Sequence, residues 1–171
     1  MPQFTESSIT LDFPDDNHFR FANCRGYQEL SGFSFKEMDA GWFDVQENIC
    51  WLFELKDYSI ANIDDQNSIE KRVLDLLKKS VDSLSMMLSA KHQYTHGQTK
   101  ISPCFPENYP NETTVFNFIN IIHCNSSQKT AVPLINERYR NRFKPYAMLF
   151  GINTYSVIEH SSAAEHIEYV R

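Results

Sequence analysis

The sequence predicts an α/β fold: a single three-layer domain with a mixed central sheet flanked by helices. Segments with alternating apolar and polar residues come first and are typical of strands. A long stretch with helical spacing of apolar residues follows, and then an almost wholly apolar segment, as in a strand covered on both faces. The 171 residues are 42% hydrophobic, enough for one sizeable core. No repeat or linker-like composition marks a boundary, so we expect one domain over residues 1–171.

The first elements are expected to be strands joined by turns. Residues 9–13 and 19–21 alternate apolar and polar side chains, with a Pro-containing turn between them. Two further strands are predicted over residues 35–45 and 49–58. Asn48 lies between these two strands and tolerates a positive φ, so the strands should form a hairpin.

A long helix is predicted over residues 69–91. Its start is indicated by Asn67 as the N-cap with Glu70 three residues later, and the polar stretch 92–100 ends it. The apolar residues that define its buried stripe are Ile69, Val73, Leu76, Leu77, Leu84, Met87 and Leu88.

The rest of the chain is expected to contain a loop, two strands and two helices. Residues 102–110 include three Pro residues and predict the loop. Residues 115–124 are nearly all apolar or β-favouring, which predicts a central strand. A basic helix over 134–143, a strand over 155–158 and a short final helix complete the α/β pattern.

The chain has 16 Lys and Arg against 22 Asp and Glu, a net charge of −6, so contact with nucleic acid requires a local basic patch. The candidate patch interleaves cations with aromatic residues, and its cations are Arg138, Arg140, Arg142 and Lys144. Tyr139 or Phe143 would then be available to stack on bases. The alternative is the solvated face of an amphipathic helix, with Leu134, Ile135 and Tyr139 turned inward.

The four cysteines are too scattered for a zinc or redox motif, and we expect Cys24, Cys50, Cys104 and Cys124 to be reduced core residues. The first residues have neither the basic nor the apolar region of a secretory signal. No apolar run approaches the ~18 residues of a membrane-spanning helix. These features predict a cytoplasmic protein that does not span a membrane.

The predicted hairpin carries the residues that indicate a chemical function. Asp39 lies on its first strand, and Glu54 and Lys56 share one face of its second. If Val45 faces Asn48 across a two-residue turn, Asp39 lies opposite Glu54. If the pairing shifts by one step along each strand, Asp39 lies opposite Lys56. In either register the three side chains share one face, with directly paired Cβ atoms about 5 Å apart.

Two carboxylates held this close repel each other, and a cation between them relieves the repulsion. Oxygen ligands of this kind suit Mg²⁺ or Mn²⁺, which keep several waters and accept phosphate oxygens. A Lys beside such an ion can position a water and stabilise negative charge on a phosphate. The set therefore predicts a metal-dependent phosphodiester hydrolase, whereas no Ser-His-Asp order, nucleophile elbow or Gly-rich phosphate loop indicates another class.

The arrangement resembles the PD-(D/E)XK, or restriction-endonuclease-like, nuclease superfamily. Its pattern is an acid on one core strand, Glu-x-Lys on the next, and then a helix that packs on the sheet. Asp39 matches the first acid, Glu54-Leu55-Lys56 matches the triplet, and the predicted helix follows. The resemblance implies a restriction-endonuclease-like fold and a Mg²⁺- or Mn²⁺-dependent nuclease. Asp39, Glu54 and Lys56 would be catalytic, with Asp39 and Glu54 as the metal ligands.

The resemblance also suggests further residues and partners. Many members carry another Glu on an N-terminal helix, here Glu29, and some carry a Lys or Gln on the following helix, here Lys78 or Lys79. Glu37 shares the face of Asp39 and could extend the acidic cluster. A chain this small and acidic suggests that a partner protein delivers the DNA or RNA, as in a multi-component defence or repair system. The alternatives are a non-catalytic assembly module with a vestigial site, and an ordinary solvated, salt-bridged strand edge.

Overall fold

Seven strands and four helices form the fold in the part of the chain that the computed structural model describes, residues 2–61, 63 and 65–171. The strands are β1 Gln3–Glu6, β2 Ile9–Asp12, β3 His18–Phe19, β4 Ala40–Asp44, β5 Ile49–Asp57, β6 Val115–His123 and β7 Tyr155–Glu159. The helices are α1 Arg25–Ser31, α2 Gln66–Lys91, α3 Ala131–Phe150 and α4 His160–His166. This mixture confirms the predicted α/β class.

A five-stranded sheet in the order β3-β4-β5-β6-β7 forms the centre of the molecule. β3, β4 and β5 are antiparallel neighbours, whereas β5, β6 and β7 run parallel, so the sheet is mixed, as predicted. Every residue of β6 except the first and the last is buried. The apolar segment 115–124 is therefore a central strand covered on both faces, as its composition predicts.

The β4–β5 hairpin has the first of the two predicted registers, because Asp44 pairs with Ile49. Asn48 in the turn has a φ of 56°, a left-handed conformation that Asn adopts at lower cost than most residues. β4 begins only at Ala40, so the strand predicted over 35–45 is too long at its start.

The segment before β4 lies outside the sheet because α2 binds its backbone. The backbone N–H of Lys36 donates to Asp82 Oδ2 at 2.8 Å, and that of Met38 donates to Ser83 Oγ at 2.9 Å. Backbone donors that are satisfied by helix side chains do not pair with a neighbouring strand. This segment therefore joins the hairpin to the helix instead of extending the strand.

Different elements cover the two faces of the sheet. On one face α2 and α3 supply Val73 and Tyr139, which belong to the same core as Leu52 and Phe118. On the other face the β1–β2 hairpin, α4 and the C-terminal residues enclose a second core, which includes Phe4, Ile9, Leu11, Phe53, Ile121, Ala163 and Val170. The predicted layers are present, but one of them is largely a hairpin. β1 was not predicted from the sequence.

Helix α2 begins slightly earlier than predicted. Asp65, and not Asn67, is its N-cap, and the Asp65 side chain accepts hydrogen bonds from the backbone N–H groups of Asn67 and Ser68. A carboxylate at this position satisfies donors that the first helical turn leaves unpaired. The helix ends at Lys91, as predicted.

The other helices differ more from the sequence-based prediction. α1 occupies Arg25–Ser31, within a region predicted to contain only strands and turns. α3 runs from Ala131 to Phe150, beyond both ends of the predicted 134–143. It ends at Gly151, whose φ of 65° is a left-handed C-cap conformation that favours glycine.

The prediction of four reduced cysteines is wrong for two of them. Cys24 and Cys104 form a disulfide, while Cys50 and Cys124 are free and buried. The bonded residues are 80 positions apart, so their proximity comes from the packing of α1 against the segment after α2. In the described part of the chain, no helix has the length and apolar character needed to cross a membrane.

Candidate active site

The structure places Asp39, Glu54 and Lys56 on the face of the sheet that α2 covers. Asp39 immediately precedes β4, whose first residue Ala40 pairs with Phe53, the residue before Glu54. Its Oδ2 accepts a hydrogen bond of 2.8 Å from the backbone N–H of Leu55. This bond fixes the carboxylate beside the Glu54-Leu55-Lys56 triplet, and the predicted shared face is confirmed.

Lys79 of α2 lies between the two carboxylates. Its Nζ is 2.6 Å from Glu54 Oε1 and 3.6 Å from Asp39 Oδ1. Lys56 Nζ is 2.7 Å from the same Glu54 oxygen. Of the two helix lysines that the resemblance suggested, Lys79 therefore joins the site, whereas Lys78 pairs with Asp82 at 2.8 Å.

Burial differs sharply among these four groups. The Glu54 side chain is fully buried, and those of Lys79 and Asp39 are 14% and 15% exposed. Lys56, at 24%, is the most exposed of the set. An ordinary solvated strand edge therefore does not describe Glu54, because α2 removes it from solvent. Lys56 is the member of the set most accessible to a ligand.

The buried charges shift one another's ionisation. The pKa of Glu54 is raised from 4.5 to about 7, first by burial and then by the negative charge of Asp39, while Lys79 and Lys56 limit the rise. Burial alone would lower the pKa of Lys79, but Glu54 and Asp39 hold it above its ordinary value of 10.5. Lys79 therefore stays charged at neutral pH, and Glu54 titrates close to neutrality.

One carboxylate oxygen of Glu54 has neither a hydrogen-bond donor nor an ion-pair partner among the described residues. Oε2 is buried and has no hydrogen-bond partner among the described residues. Oε1 also lacks an aligned hydrogen bond, so its short contacts with Lys79 and Lys56 are ion pairs without hydrogen-bond geometry. A buried carboxylate oxygen without a donor is costly. Either a proton or a cation would satisfy it.

The donor set suits a hard divalent cation. Mg²⁺ is commonly held by one or two carboxylates and keeps several waters, which matches Asp39 and Glu54. Over residues 2–61, 63 and 65–171 no group of three or more His, Cys, Asp or Glu side chains is positioned to share an ion. The pair alone would therefore supply the protein ligands.

The two other suggested acids have different partners. Glu37 lies near Tyr27 of α1, and burial followed by this carboxylate raises the Tyr27 pKa. Glu29 pairs with Arg25 at 3.2 Å and with Lys100 at 3.1 Å. Neither acid joins Asp39 and Glu54 in a common cluster.

The basic residues of α3 are partly engaged within the protein. Arg138 and Arg142 pair with Glu70 of α2. Arg140 donates to the backbone oxygen of Tyr155 at 2.7 Å, while Lys144 is exposed. Whether these cations bind nucleic acid stays a prediction.

The two aromatic residues of the basic run on α3 point into the protein. Tyr139 and Phe143 are fully buried, and the Tyr139 hydroxyl lies 2.9 Å from Ser80 Oγ of α2, within hydrogen-bond distance. They are therefore not available to stack on bases, and that expectation is wrong. The inward orientation expected of an amphipathic helix is present, since Ile135 and Tyr139 are buried and Leu134 is half-buried.

Charged residues around the site were missed by the sequence analysis. Lys36 Nζ lies 2.6 Å from Asp75 Oδ1, and the guanidinium of Arg72 lies 4.9 Å from the centre of the Tyr58 ring. Arg72, Asp75 and Lys79 follow one another at helical spacings of three and four. This charged stripe beside the apolar stripe of α2 is the sequence signal that could have indicated these residues.

Comparisons of the chain with protein-family models, with curated proteins and with solved structures gave no match. A function is therefore inferred from the chemistry of the site itself.

Proposed function

We propose that this protein is a metal-dependent nuclease that hydrolyses phosphodiester bonds of DNA or RNA with Mg²⁺ or Mn²⁺. The supporting observation is that the Asp39 carboxylate is fixed by the backbone N–H of Leu55 beside Glu54, with Lys56 on the same strand. The buried Glu54 oxygen without a donor adds to this support. Asp39 and Glu54 would hold the ion, which when bound supplies an activated water and positive charge at the phosphate.

The chain's own groups have separate roles in hydrolysis. A phosphorus–oxygen bond forms to water and another breaks, and the sugar oxygen that leaves takes up a proton. Lys56, as the most exposed cation of the set, would orient the attacking water and stabilise the charge that develops on the phosphate. Lys79 would hold the two carboxylates in place from α2.

The proposal includes a restriction-endonuclease-like fold. In support, β4, β5 and α2 follow the order acid, Glu-x-Lys strand and packed helix, and β6 then returns parallel to β5. The net charge of −6 supports a protein partner that delivers the DNA or RNA in a defence or repair system. A cytoplasmic location belongs to the same proposal.

A second candidate is a non-catalytic assembly module with a vestigial site. The observation that favours it is the ammonium group of Lys79, which contacts both carboxylates. A lysine in this position supplies the positive charge that a metal ion would otherwise bring. On this hypothesis the cluster only joins α2 to the hairpin.

Metal binding and cleavage together distinguish the two candidates. Calorimetry with Mn²⁺ should show binding by the wild type and none by Asp39→Asn, while Glu29→Gln serves as a control with the same charge change on another surface. Labelled DNA and RNA should be cleaved by the wild type, with the physiological partner added where required. Lys56→Ala should keep Mn²⁺ affinity but lose about 10²–10³ in rate. Wild-type protein that neither binds Mn²⁺ nor cleaves would support the vestigial site.

A further inference from the structure

A basic cavity lies beside the candidate active site on α2. Its volume is about 390 Å³, and it is lined by Lys36, Lys71, Arg72, Leu74, Asp75 and Lys78. When Asp82, the partner of Lys78, is included, cations exceed carboxylates by two. This local excess contrasts with the net charge of −6 for the whole chain.

The carboxylates at this cavity are already neutralised. Asp75 pairs with Lys36 at 2.6 Å, and Asp82 pairs with Lys78 at 2.8 Å. Although burial opposes it, the contact with Lys36 keeps the pKa of Asp75 below its ordinary value. Lys71 and Arg72 have no carboxylate partner within the described ranges. Their charges are thus available to an anionic ligand.

A lining residue of the cavity and the aromatic ring that it stacks on both have polar atoms without hydrogen-bond partners in the described part of the chain. Arg72 Nε is buried and unpaired among the described residues, as is the hydroxyl of Tyr58. The Arg72 guanidinium lies 4.9 Å from the centre of the Tyr58 ring, and this stacking limits its orientation. A guanidinium fork held by an aromatic ring matches the geometry of phosphate oxygens.

The cavity and the carboxylate pair are neighbours. Arg72 and Asp75 precede Lys79 on the same helix at spacings that place them on one side. A ligand held in the cavity would therefore lie along the side of α2 that carries Lys79.

We infer that this cavity binds the phosphate backbone of a nucleic acid and directs it to Asp39 and Glu54. The inference rests on the proposed nuclease function for the identity of the polyanion. It assigns backbone binding to α2 and its neighbour Lys36, and not to the basic run of α3, where Glu70 already engages Arg138 and Arg142. Phosphate contacts of this type position a polynucleotide without reading its sequence.

The test is fluorescence anisotropy with short labelled DNA and RNA in EDTA, so that metal binding does not contribute. Lys71→Ala/Arg72→Ala should weaken binding and reduce the slope of log affinity against log salt by about one per cation removed. Arg25→Ala/Lys100→Ala removes the same charge from the α1 surface and should bind like the wild type. Thermal unfolding of each variant verifies folding.

Three results would overturn the inference. They are wild-type affinity in Lys71→Ala/Arg72→Ala, a larger loss in Arg140→Ala/Lys144→Ala on α3, and no oligonucleotide binding by the wild type at low salt. Binding to anionic lipid vesicles but to neither oligonucleotide would also contradict it. The binding assay contains EDTA and is therefore independent of the cleavage assay with metal. Oligonucleotide binding by a protein that does not cleave with metal would reject the nuclease proposal and leave the cavity assignment standing.

Discussion

Glu54 is a buried carboxylate whose negative charge is balanced by two lysines. Both ammonium groups contact Oε1, while Oε2 has no hydrogen-bond partner within the described residues. An incompletely paired buried charge costs stability, and groups with strongly shifted pKa values cluster at functional sites. Glu54 is therefore the residue at which stability and the proposed function are most directly coupled.

We expect the metal-free protein to lose stability as the pH rises through the Glu54 transition. This carboxyl ionises near 4.5 in the unfolded chain and near 7 in the folded protein. Between these values the unfolded state binds fewer protons than the folded state, so the free energy of unfolding falls as the pH rises. The loss is on the order of 3 kcal/mol, from about 1.4 kcal/mol per pKa unit.

Urea unfolding in EDTA across this pH range, on wild type and Glu54→Gln, measures the effect. The Gln variant cannot ionise, so its stability should lack this decline, while the other carboxylates contribute similarly to both proteins. Parallel profiles would contradict a raised Glu54 pKa. Mn²⁺ at neutral pH should restore stability to the wild type, because a bound cation favours the charged form.

Helix α2 organises the site through a single face. Lys79 contacts the carboxylates, and Asp82 and Ser83 accept hydrogen bonds from the backbone before β4. Spacings of three and four residues place these side chains together. The hydrogen bond between Ser80 and Tyr139 anchors the same helix to α3. Placement of the site therefore depends on helix–sheet packing as well as on the hairpin.

Lys79→Met should reveal whether the carboxylates hold a metal ion. It removes the ammonium that contacts both acids, and breaking a buried pair costs about 3–5 kcal/mol. If Asp39 and Glu54 are ligands, Mn²⁺ should then raise the melting temperature more in this variant than in the wild type. Thermal unfolding with and without Mn²⁺ measures both effects.

Lys78→Met is the matched control for that experiment, since its ammonium pairs with Asp82 instead. It should show the metal response of the wild type. A destabilised Lys79→Met that Mn²⁺ does not rescue would favour the vestigial site. Adding Asp39→Asn to Lys79→Met should abolish any rescue.

In the whole molecule, contacts between residues far apart in the sequence hold the elements that cover the two faces of the sheet. The backbone N–H of Arg171 donates to Thr10 oxygen at 2.8 Å, which fixes the C-terminus against β2. On the opposite side, the Cys24–Cys104 disulfide joins the start of α1 to the segment after α2. Disulfides are rare in cytosolic proteins, so the predicted cytoplasmic location stays a prediction.

We expect reduction of the Cys24–Cys104 disulfide to lower the free energy of unfolding. Closing a loop of this length contributes about 4.5 kcal/mol in the chain-entropy treatment. Urea unfolding with and without reductant should show a loss of this order. Thiol titration of the denatured protein should give two reactive groups before reduction, from Cys50 and Cys124. Four reactive thiols before reduction would contradict the disulfide.

The sequence alone determined the features that depend on local pattern. Strand alternation placed Asp39, Glu54 and Lys56 on one face in either possible register, because side chains two residues apart in a strand share a face. Helical spacing located the body of α2, and continuous apolar character identified β6 as central. Each of these signals lies within one element or one hairpin.

Tertiary structure alone decided how those elements meet. The burial of Glu54, the position of Lys79 between the carboxylates and the inward orientation of Phe143 all depend on which helix packs on which strand. The same holds for the departure of residues 35–39 from the sheet and for the Cys24–Cys104 bond. No local periodicity encodes such contacts, since their partners lie tens of residues apart and are selected by the packing of the complete core.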